Sequence, residues 1–233
     1  MEMGGAFAAA AALIINFESG LAEIVLLSLQ VSLFAVAIAC LIGLPVGAAL
    51  AVFQFPGRTV FVVILNAMMG LPPVVIGLIV YLILSRSGPL GTLGLLFTPT
   101  AMIIAQICLV TPIIAALTRQ SSEDLWQEYA EHLQSIGLQP WQVVITLLWD
   151  NRFSLITTIL AGFGRASAEV GAVMIVGGNI DHVTRVMTTS IALETSKGNL
   201  ALALGLGIIL LALALGVNAT AYLVNEAAMK RHG

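Results

Sequence analysis

Long apolar runs, separated by short polar segments, dominate the pattern along this chain of 233 residues. A helix needs about 20 apolar residues to cross the hydrocarbon core of a bilayer. Runs of that length predict membrane spans at residues 24–52, 60–84, 98–117, 153–176 and 200–224. We therefore expect an all-α membrane protein with five transmembrane helices, in which residues 1–233 form a single transmembrane domain.

Helix-breaking residues occur inside three of the predicted spans. They are Gly43, Pro45 and Gly47 in the first span, Gly70, Leu71, Pro72 and Pro73 in the second, and Pro112 in the third. Backbone groups freed at membrane depth are tolerated only where protein or water satisfies them, so one interpretation is a polar pathway near these positions. The other is a simple packing kink. The apolar stretch at residues 6–15 is too short to span, and an interfacial segment is predicted there.

Composition supports a membrane protein and excludes several other classes. Charged residues make up 9% of the chain and its mean hydropathy is +1.05, whereas a soluble domain carries about 25% charged residues. The net charge of −3 comes without a basic cluster, so nucleic acid is not an expected partner. The scattered Cys and His residues predict no metal site, and no catalytic cluster points to an enzyme.

Basic residues in the short loops set the expected orientation, because Lys and Arg are retained on the cytoplasmic side. With the C-terminus in the cytoplasm, the inner segments contain Arg58, Arg119, Arg152, Lys230 and Arg231. The outer segments then contain Arg86, Arg185 and Lys197. This bias predicts an external N-terminus and places residues 119–152 in the cytoplasm.

The pattern of residues 119–152 predicts a helix-turn-helix between the third and fourth spans. Apolar residues recur at helical spacing on one face of the first helix, and acidic residues occupy the other. The apolar set is Leu125, Tyr129, His132, Leu133 and Ile136. Gly137 is expected to cap this helix in a left-handed conformation, and Pro140 to begin the next. The segment is either a docking surface for a partner or a solvated connection.

The same segment resembles an element of a known family. Glu128-Tyr-Ala-Glu-His-Leu-Gln-Ser-Ile-Gly137, followed by Ile145-Thr-Leu-Leu148, resembles the coupling loop of permease subunits in binding-protein-dependent ABC importers. In that family the loop docks into a cleft of the ATPase subunit. Ser135 stands where the family has glycine, and Leu148 where it has proline. The resemblance implies ATPase-coupling roles for Glu128, Ala130, Ser135, Gly137, Ile145 and Leu147.

A second region, at residues 163–194, is similar to the permeases that import oxyanions, and it looks closest to their tungstate branch. Together with Gly43-Leu-Pro-Val-Gly47 and Leu71-Pro-Pro-Val-Val-Ile-Gly77, the resemblance covers residues 21–225. It implies the type I permease fold of ABC importers and the import of tungstate, with molybdate as a second candidate substrate. Import of another oxyanion, such as molybdate, sulfate or phosphate, is the alternative.

The resemblance also implies partners. The chain has no G-x-x-x-x-G-K-[ST] phosphate loop, so we expect no cofactor in this chain, with ATP and Mg²⁺ on a separate ABC ATPase subunit. An extracytoplasmic oxyanion-binding protein and a second copy of the chain complete the expected assembly, a homodimer surrounded by lipid in a prokaryotic inner membrane. The remaining alternative is an ATP-independent secondary transporter. Such a protein should show symmetric halves and more intramembrane carboxylates than Glu169.

Several polar residues are candidates for the translocation path or its gate. They are Arg165, Glu169, Thr184, Thr188, Thr189 and Asn66. The Arg and the Glu are four residues apart, so they share one helical face and either form a structural pair or line the path. The three threonines lie in an outer loop that is predicted to form a short helix, where hydroxyls suit an oxyanion. An ordinary polar loop helix is the alternative.

Overall fold

The structure is a computed structural model that describes residues 19–232, and this part of the chain is helical without a β-strand. The helices are α1 (Ser19–Val52), α2 (Arg58–Met69), α3 (Pro73–Leu84), α4 (Pro99–Ser135), α5 (Pro140–Asp150), α6 (Arg152–Ser167), α7 (Gly171–Gly177), α8 (Met187–Ser196) and α9 (Leu200–His232). A 3-10 turn, Gly91–Leu93, precedes α4. The predicted interfacial segment at residues 6–15 lies outside the described residues.

The prediction of an all-α membrane protein is confirmed. Within residues 19–232, three stretches are long and apolar enough to cross a membrane: Gly20–Val52, Pro99–Ser135 and Leu200–Leu223. The number rises to five when α2 with α3, and α5 with α6, are each counted as one broken span. The apolar runs therefore predict the spanning helices, although not where each helix begins and ends.

The predicted helix breaks occur at some positions and not at others. The second span is broken as expected, because α2 ends at Met69 and α3 begins at Pro73. By contrast, α1 continues through Pro45 and α4 through Pro112, so no backbone break exists at either proline. A proline removes one backbone donor, and a long apolar helix keeps its remaining hydrogen bonds because lipid offers no other partner.

Two further boundaries differ from the prediction. Helix α4 runs without interruption to Ser135, so the predicted third span and the first helix of the predicted helix-turn-helix are one continuous helix. The predicted span at residues 153–176 is instead two helices, because α6 ends at Ser167 and α7 begins at Gly171. The residues between α6 and α7 include Glu169, one of the predicted path residues.

Glycines bring α1 and α4 into close contact. A Cβ atom on Gly43 would lie 2.9 Å from the Cγ2 atom of Ile114 and 3.1 Å from the carbonyl oxygen of Thr111. Gly47 is equally crowded by the backbone of α4. Helices in membranes associate through such small residues, because close backbone approach maximises van der Waals contact. These glycines therefore serve packing rather than a break in α1.

The chain divides into two compact units, each assembled from separate segments. One contains residues 19–34, Pro73–Gln106 and Ser167–Thr220, and the other contains Ala35–Pro72, Ile107–Ala166 and residues 221–232. The first unit has an apolar core around Leu21, Val25, Met187 and Leu206. The second has a core around Val52, Leu133, Val143 and Leu147, which underlies the predicted coupling segment.

Candidate functional site

The turn between α4 and α5 has the geometry that the sequence predicts. Gly137 is left-handed, with φ of +76°. Its N–H donates to the carbonyl of Gln134 over 3.0 Å, and the N–H of Leu138 donates to the carbonyl of Leu133 over 3.4 Å. These two bonds form a Schellman motif, which satisfies the last carbonyls of α4. Pro140 is the first residue of α5, so both predicted boundaries of the turn are confirmed.

Helix α5 presents one apolar face to its own unit and a second apolar face outward. Trp141, Ile145 and Trp149 follow one another at intervals of four, and they are 56%, 57% and 69% exposed. On the opposite face, Val143 and Leu147 are buried in the core of the unit. We name Trp141, Ile145 and Trp149 the α5 stripe. Its aromatic composition is typical of the centre of a protein interface.

The predicted coupling residues divide into an exposed group and a buried one. Glu128, Ser135 and Gly137 are exposed, Ala130 is half-buried, and Ile145 lies in the α5 stripe. Leu147 is 0% exposed, so its side chain supports the stripe from below and does not form part of the surface. Their roles in coupling stay predictions.

A charge cluster links the start of α2 to the middle of α4. The guanidinium of Arg58 contacts the Glu123 carboxylate over 2.6 Å, and its Nε donates to the carbonyl of Leu50 over 2.8 Å. The guanidinium of Arg119 contacts the other Glu123 oxygen. Arg58 thereby satisfies one of the open carbonyls at the C-terminal end of α1, where a cation is favoured by the helix dipole.

The charged pair predicted in the fourth span does not lie on one continuous helix. Arg165 is in the last turn of α6, whereas Glu169 lies beyond the end of that helix. Glu169 is buried, and its Oε1 accepts a hydrogen bond of 3.0 Å from the N–H of Ala172 in α7. The continuous helix that the prediction assumed therefore ends between Arg165 and Glu169. Whether the two residues line the path or stabilise the fold stays a prediction.

The three predicted path threonines are buried, and each hydroxyl already donates its proton within the chain. Thr184 donates to the carbonyl of Gly177 over 2.5 Å. Thr188 donates to the carbonyl of Glu169 over 2.8 Å, and the Thr189 hydroxyl has acceptors in the Asn179 side chain and the Val186 carbonyl.

A hydroxyl has one proton to donate. In this conformation the three threonines therefore hold α7 and α8 in place, and an oxyanion would have to displace these bonds to be recognised. The predicted short helix is α8, Met187–Ser196. Thr188 and Thr189 lie in its first turn, whereas Thr184 precedes it. Asn66 is exposed on α2, a helix without a buried residue.

Residues of the first unit also pair at the start of α1. His182 Nδ1 lies 2.7 Å from Glu23 Oε2, and the hydroxyl of Ser28 accepts a bond of 2.7 Å from the N–H of Met187. The hydrogen bond from Glu23 raises the pKa of His182, and the negative charges of Glu23 and Asp181 add to this effect. Both ties hold the beginning of α1 to the loop and helix that carry the threonines.

The His182 pair makes folding stability depend on pH. Because Glu23 favours protonated His182, the stabilisation is complete below the ordinary histidine pKa of about 6.5 and is lost as the pH rises through the raised pKa. We expect Glu23→Gln to lower the thermal unfolding midpoint of the purified protein near pH 6 and to leave it unchanged near pH 9. In a His182→Gln background, Glu23→Gln should have no further effect. A midpoint difference that stays constant or grows with pH would contradict this assignment.

The sequence pattern of one family matches most of the chain. This family is described as the binding-protein-dependent transport system inner membrane component, and the match covers residues 43–229. The chain belongs to this family. This permease is therefore a multi-pass membrane protein and a non-catalytic transport subunit, and its family implies an ATPase and a substrate-binding protein as separate partners.

Individual relatives resemble this permease over different shares of its length. It is 40% identical over 220 residues to the tungstate uptake system permease protein TupB of Peptoclostridium acidaminophilum, covering 94% of this chain and 96% of the relative. It is 40% identical over 218 residues to a probable anion ABC transporter permease protein of Haloferax volcanii, covering 91% and 94%. The sulfate transport system permease protein CysW of Synechocystis is 31% identical over 172 residues, covering 71% and 61%.

The structure adds residues of this permease that sequence reasoning missed. Trp141 and Trp149 complete the α5 stripe. Each is four residues from Ile145, and this spacing was the sequence signal that the three share one helical face. That signal was ambiguous, because Val143 and Leu147 form an equally apolar face of the same helix. The contact between Arg58 and Glu123 joins residues 65 apart in the chain, and no local pattern predicts such a partner.

Proposed function

We propose that this chain is the membrane-spanning subunit of an ATP-driven importer of tungstate, with molybdate as a second substrate. The observation that carries the proposal is the 40% identity to a tungstate uptake permease over 94% of the chain. The two proteins align over nearly their full lengths, so the similarity extends through the coupling turn and the segment that contains the threonines. Another oxyanion as the main substrate is less favoured, because the sulfate permease relative is less similar.

The ATPase subunit, which holds ATP and Mg²⁺, docks on the helix-turn-helix formed by the end of α4 and by α5. The exposed residues Glu128, Ser135 and Ile145 form the contact together with the two tryptophans of the α5 stripe, while Gly137 sets the turn. Ala130 and Leu147 support this surface. An aromatic surface of this kind offers the buried anchors that dominate protein interfaces.

The N-terminus lies outside the cell and the C-terminus in the cytoplasm. Two sets of contacts agree with the way this topology groups the segments by side, and the Lys and Arg bias of the loops sets which side is cytoplasmic. Arg58 and Glu123, from segments predicted to be cytoplasmic, are in contact, and so are Glu23 and His182, from segments predicted to be external. Residues that share a side of the membrane in the proposed topology are thus neighbours within their unit.

Two copies of the chain form the translocation path between them, and an extracytoplasmic binding protein delivers the oxyanion. Arg165, Glu169 and Asn66 are proposed to line or gate this path, together with Thr184, Thr188 and Thr189. Because the threonine hydroxyls are committed in this conformation, they contact the oxyanion only after α7 and α8 separate from their present partners. The proposal therefore places a conformational change before recognition in the membrane.

Reconstitution tests this function directly. The chain, its ATPase and its binding protein are purified, combined in liposomes and supplied with tungstate, and accumulated tungsten is measured by mass spectrometry. We expect uptake that requires all three proteins and ATP, and that unlabelled molybdate inhibits more strongly than sulfate. Tungstate uptake by the chain alone without ATP would instead establish a secondary transporter. Stronger inhibition by sulfate or phosphate than by molybdate would reassign the substrate.

A further inference from the structure

The junction between α5 and α6 bends the chain sharply at a single residue. The two helix axes differ in direction by 77°, and Asn151 is the residue between them. Its N–H donates to the carbonyl of Leu147 in α5 over 2.9 Å, and its carbonyl accepts from the N–H of Leu155 in α6 over 3.0 Å. The backbone of Asn151 therefore belongs to both helices. Because only one residue separates the two helices, few backbone hydrogen bonds resist a change in the angle between the axes of α5 and α6.

The side chain of Asn151 ties this bend to a third helix. Asn151 is 5% exposed, and its Nδ2 donates to the hydroxyl of Ser121 in α4 over 2.6 Å. The same hydroxyl donates to the carbonyl of Thr118 over 3.2 Å, so it is held in the acceptor orientation. The two residues are 30 apart in the chain. This part-buried bond joins α4 to the junction of α5 and α6, and Ser121, Asn151 and helix α5 lie in one compact unit.

A second contact braces the bend from its exposed side. The guanidinium of Arg152 lies 5.2 Å from the Trp149 ring and 4.5 Å from the Phe153 ring, and it donates to the carbonyl of Trp149 over 2.8 Å. This brace connects α5 to α6. Apolar contacts such as those of Leu147 with Leu133 also pack α5 on α4, and the Asn151 side chain adds a hydrogen bond to α4 at the bend itself.

We propose that Asn151 is a positioning residue for coupling, and that its bond to Ser121 makes the junction of α5 and α6 rigid. The inference rests on the proposed function, in which the ATPase moves α5. With the bond intact, a displacement of α5 moves α6 and α4 together, because the angle cannot absorb it. Without the bond, the angle changes instead, and ATP is hydrolysed with less transport.

The experiment compares Asn151→Ala, Ser121→Ala and the double variant in the reconstituted transporter. The matched control is Thr146→Val, which removes a hydroxyl that bonds only within α5, to the carbonyl of Gln142. The measured quantity is the number of ATP molecules hydrolysed per tungstate ion imported. We expect this ratio to rise about five-fold in each single variant. Each variant loses one hydrogen bond, and the net free energy of such a bond corresponds to about this factor. The double variant should match the single variants, because both substitutions remove the same contact.

A second measurement does not depend on transport. Hydrogen exchange of the backbone amides at residues 148–156 should accelerate about five-fold in Asn151→Ala and in Ser121→Ala, and not in the control. Unchanged exchange with an unchanged ATP ratio would overturn the inference, and so would additive effects in the double variant. Loss of ATPase binding in proportion to loss of folded protein would also overturn it, in favour of a role in folding alone. If the wild-type assembly transports no tungstate, the proposed function fails, and the exchange experiment still decides whether the bond makes the junction rigid.

Discussion

Gly47→Leu is expected to prevent the recovery of folded, monodisperse protein. A Cβ atom at this position would lie 2.8 Å from the Cβ of Thr118 and 3.0 Å from the backbone nitrogen of Arg119, and still closer to the carbonyl oxygen of Ala115. Because two of these three atoms belong to the backbone of α4, no side-chain rotation relieves the clash. Overpacking usually costs about 1–3 kcal/mol, and a leucine that separates two helix backbones should exceed the upper end of that range.

The measurement is thermal unfolding followed by tryptophan fluorescence, together with size-exclusion chromatography in detergent. All three tryptophans lie in the unit that contains Gly47, so the fluorescence reports on the affected packing. The matched control is Gly216→Leu in α9, where a Cβ atom would meet nothing within 4 Å. Equal unfolding midpoints for the two variants would show that the contact between α1 and α4 does not determine stability.

Ile145→Glu should weaken binding of the ATPase and therefore impair transport, while the protein itself remains folded. The side chain is 57% exposed, so at the proposed cytoplasmic position of α5 a carboxylate there stays hydrated in the isolated permease. In the proposed interface the same carboxylate would be buried without a partner, at a cost of about 2–5 kcal/mol. That cost weakens binding by about 30-fold or more. The affinity is measured by titrating the purified ATPase against labelled permease in detergent.

Two controls separate docking from folding in this experiment. Thr195→Glu adds the same charge at an exposed position of α8, in the other compact unit, and should leave the affinity unchanged. The unfolding midpoint of Ile145→Glu should remain close to that of the unmodified protein. Wild-type affinity in this variant would show that the ATPase does not dock on the α5 stripe.

Local chemistry predicted the features of this permease that depend on neighbouring residues. The left-handed conformation of Gly137 and the start of α5 at Pro140 follow from the conformational preferences of those two residue types. The interruption at residues 70–72 follows from the glycine and prolines there. Pro45 and Pro112 carry the same local signal without a break, because the apolar surroundings favour a continuous helix over exposed backbone groups.

The candidate site was less accessible to sequence reasoning. Both faces of α5 are apolar, so its sequence alone does not show which face lies inward, and only the core beneath Leu147 decides it. Thr184, Thr188 and Thr189 were predicted to lie in an outer loop and to donate to an oxyanion. Their hydroxyls instead donate to acceptors within the chain, such as the Gly177 carbonyl for Thr184. This acceptor is seven residues away and is a backbone group, so no residue type in the sequence identifies it.

The sequence by itself determined that the protein lies in a membrane, the approximate positions of the three long apolar helices, and the helix-turn-helix of the predicted coupling segment. These properties depend on hydropathy summed over tens of residues and on the backbone preferences of single ones. Only the tertiary structure decided that α6 ends before Glu169, that Asn151 is bonded to Ser121, and that the α5 stripe faces outward. Each of these depends on a contact between distant segments, and the energy of such a contact is invisible until the chain brings its two partners together.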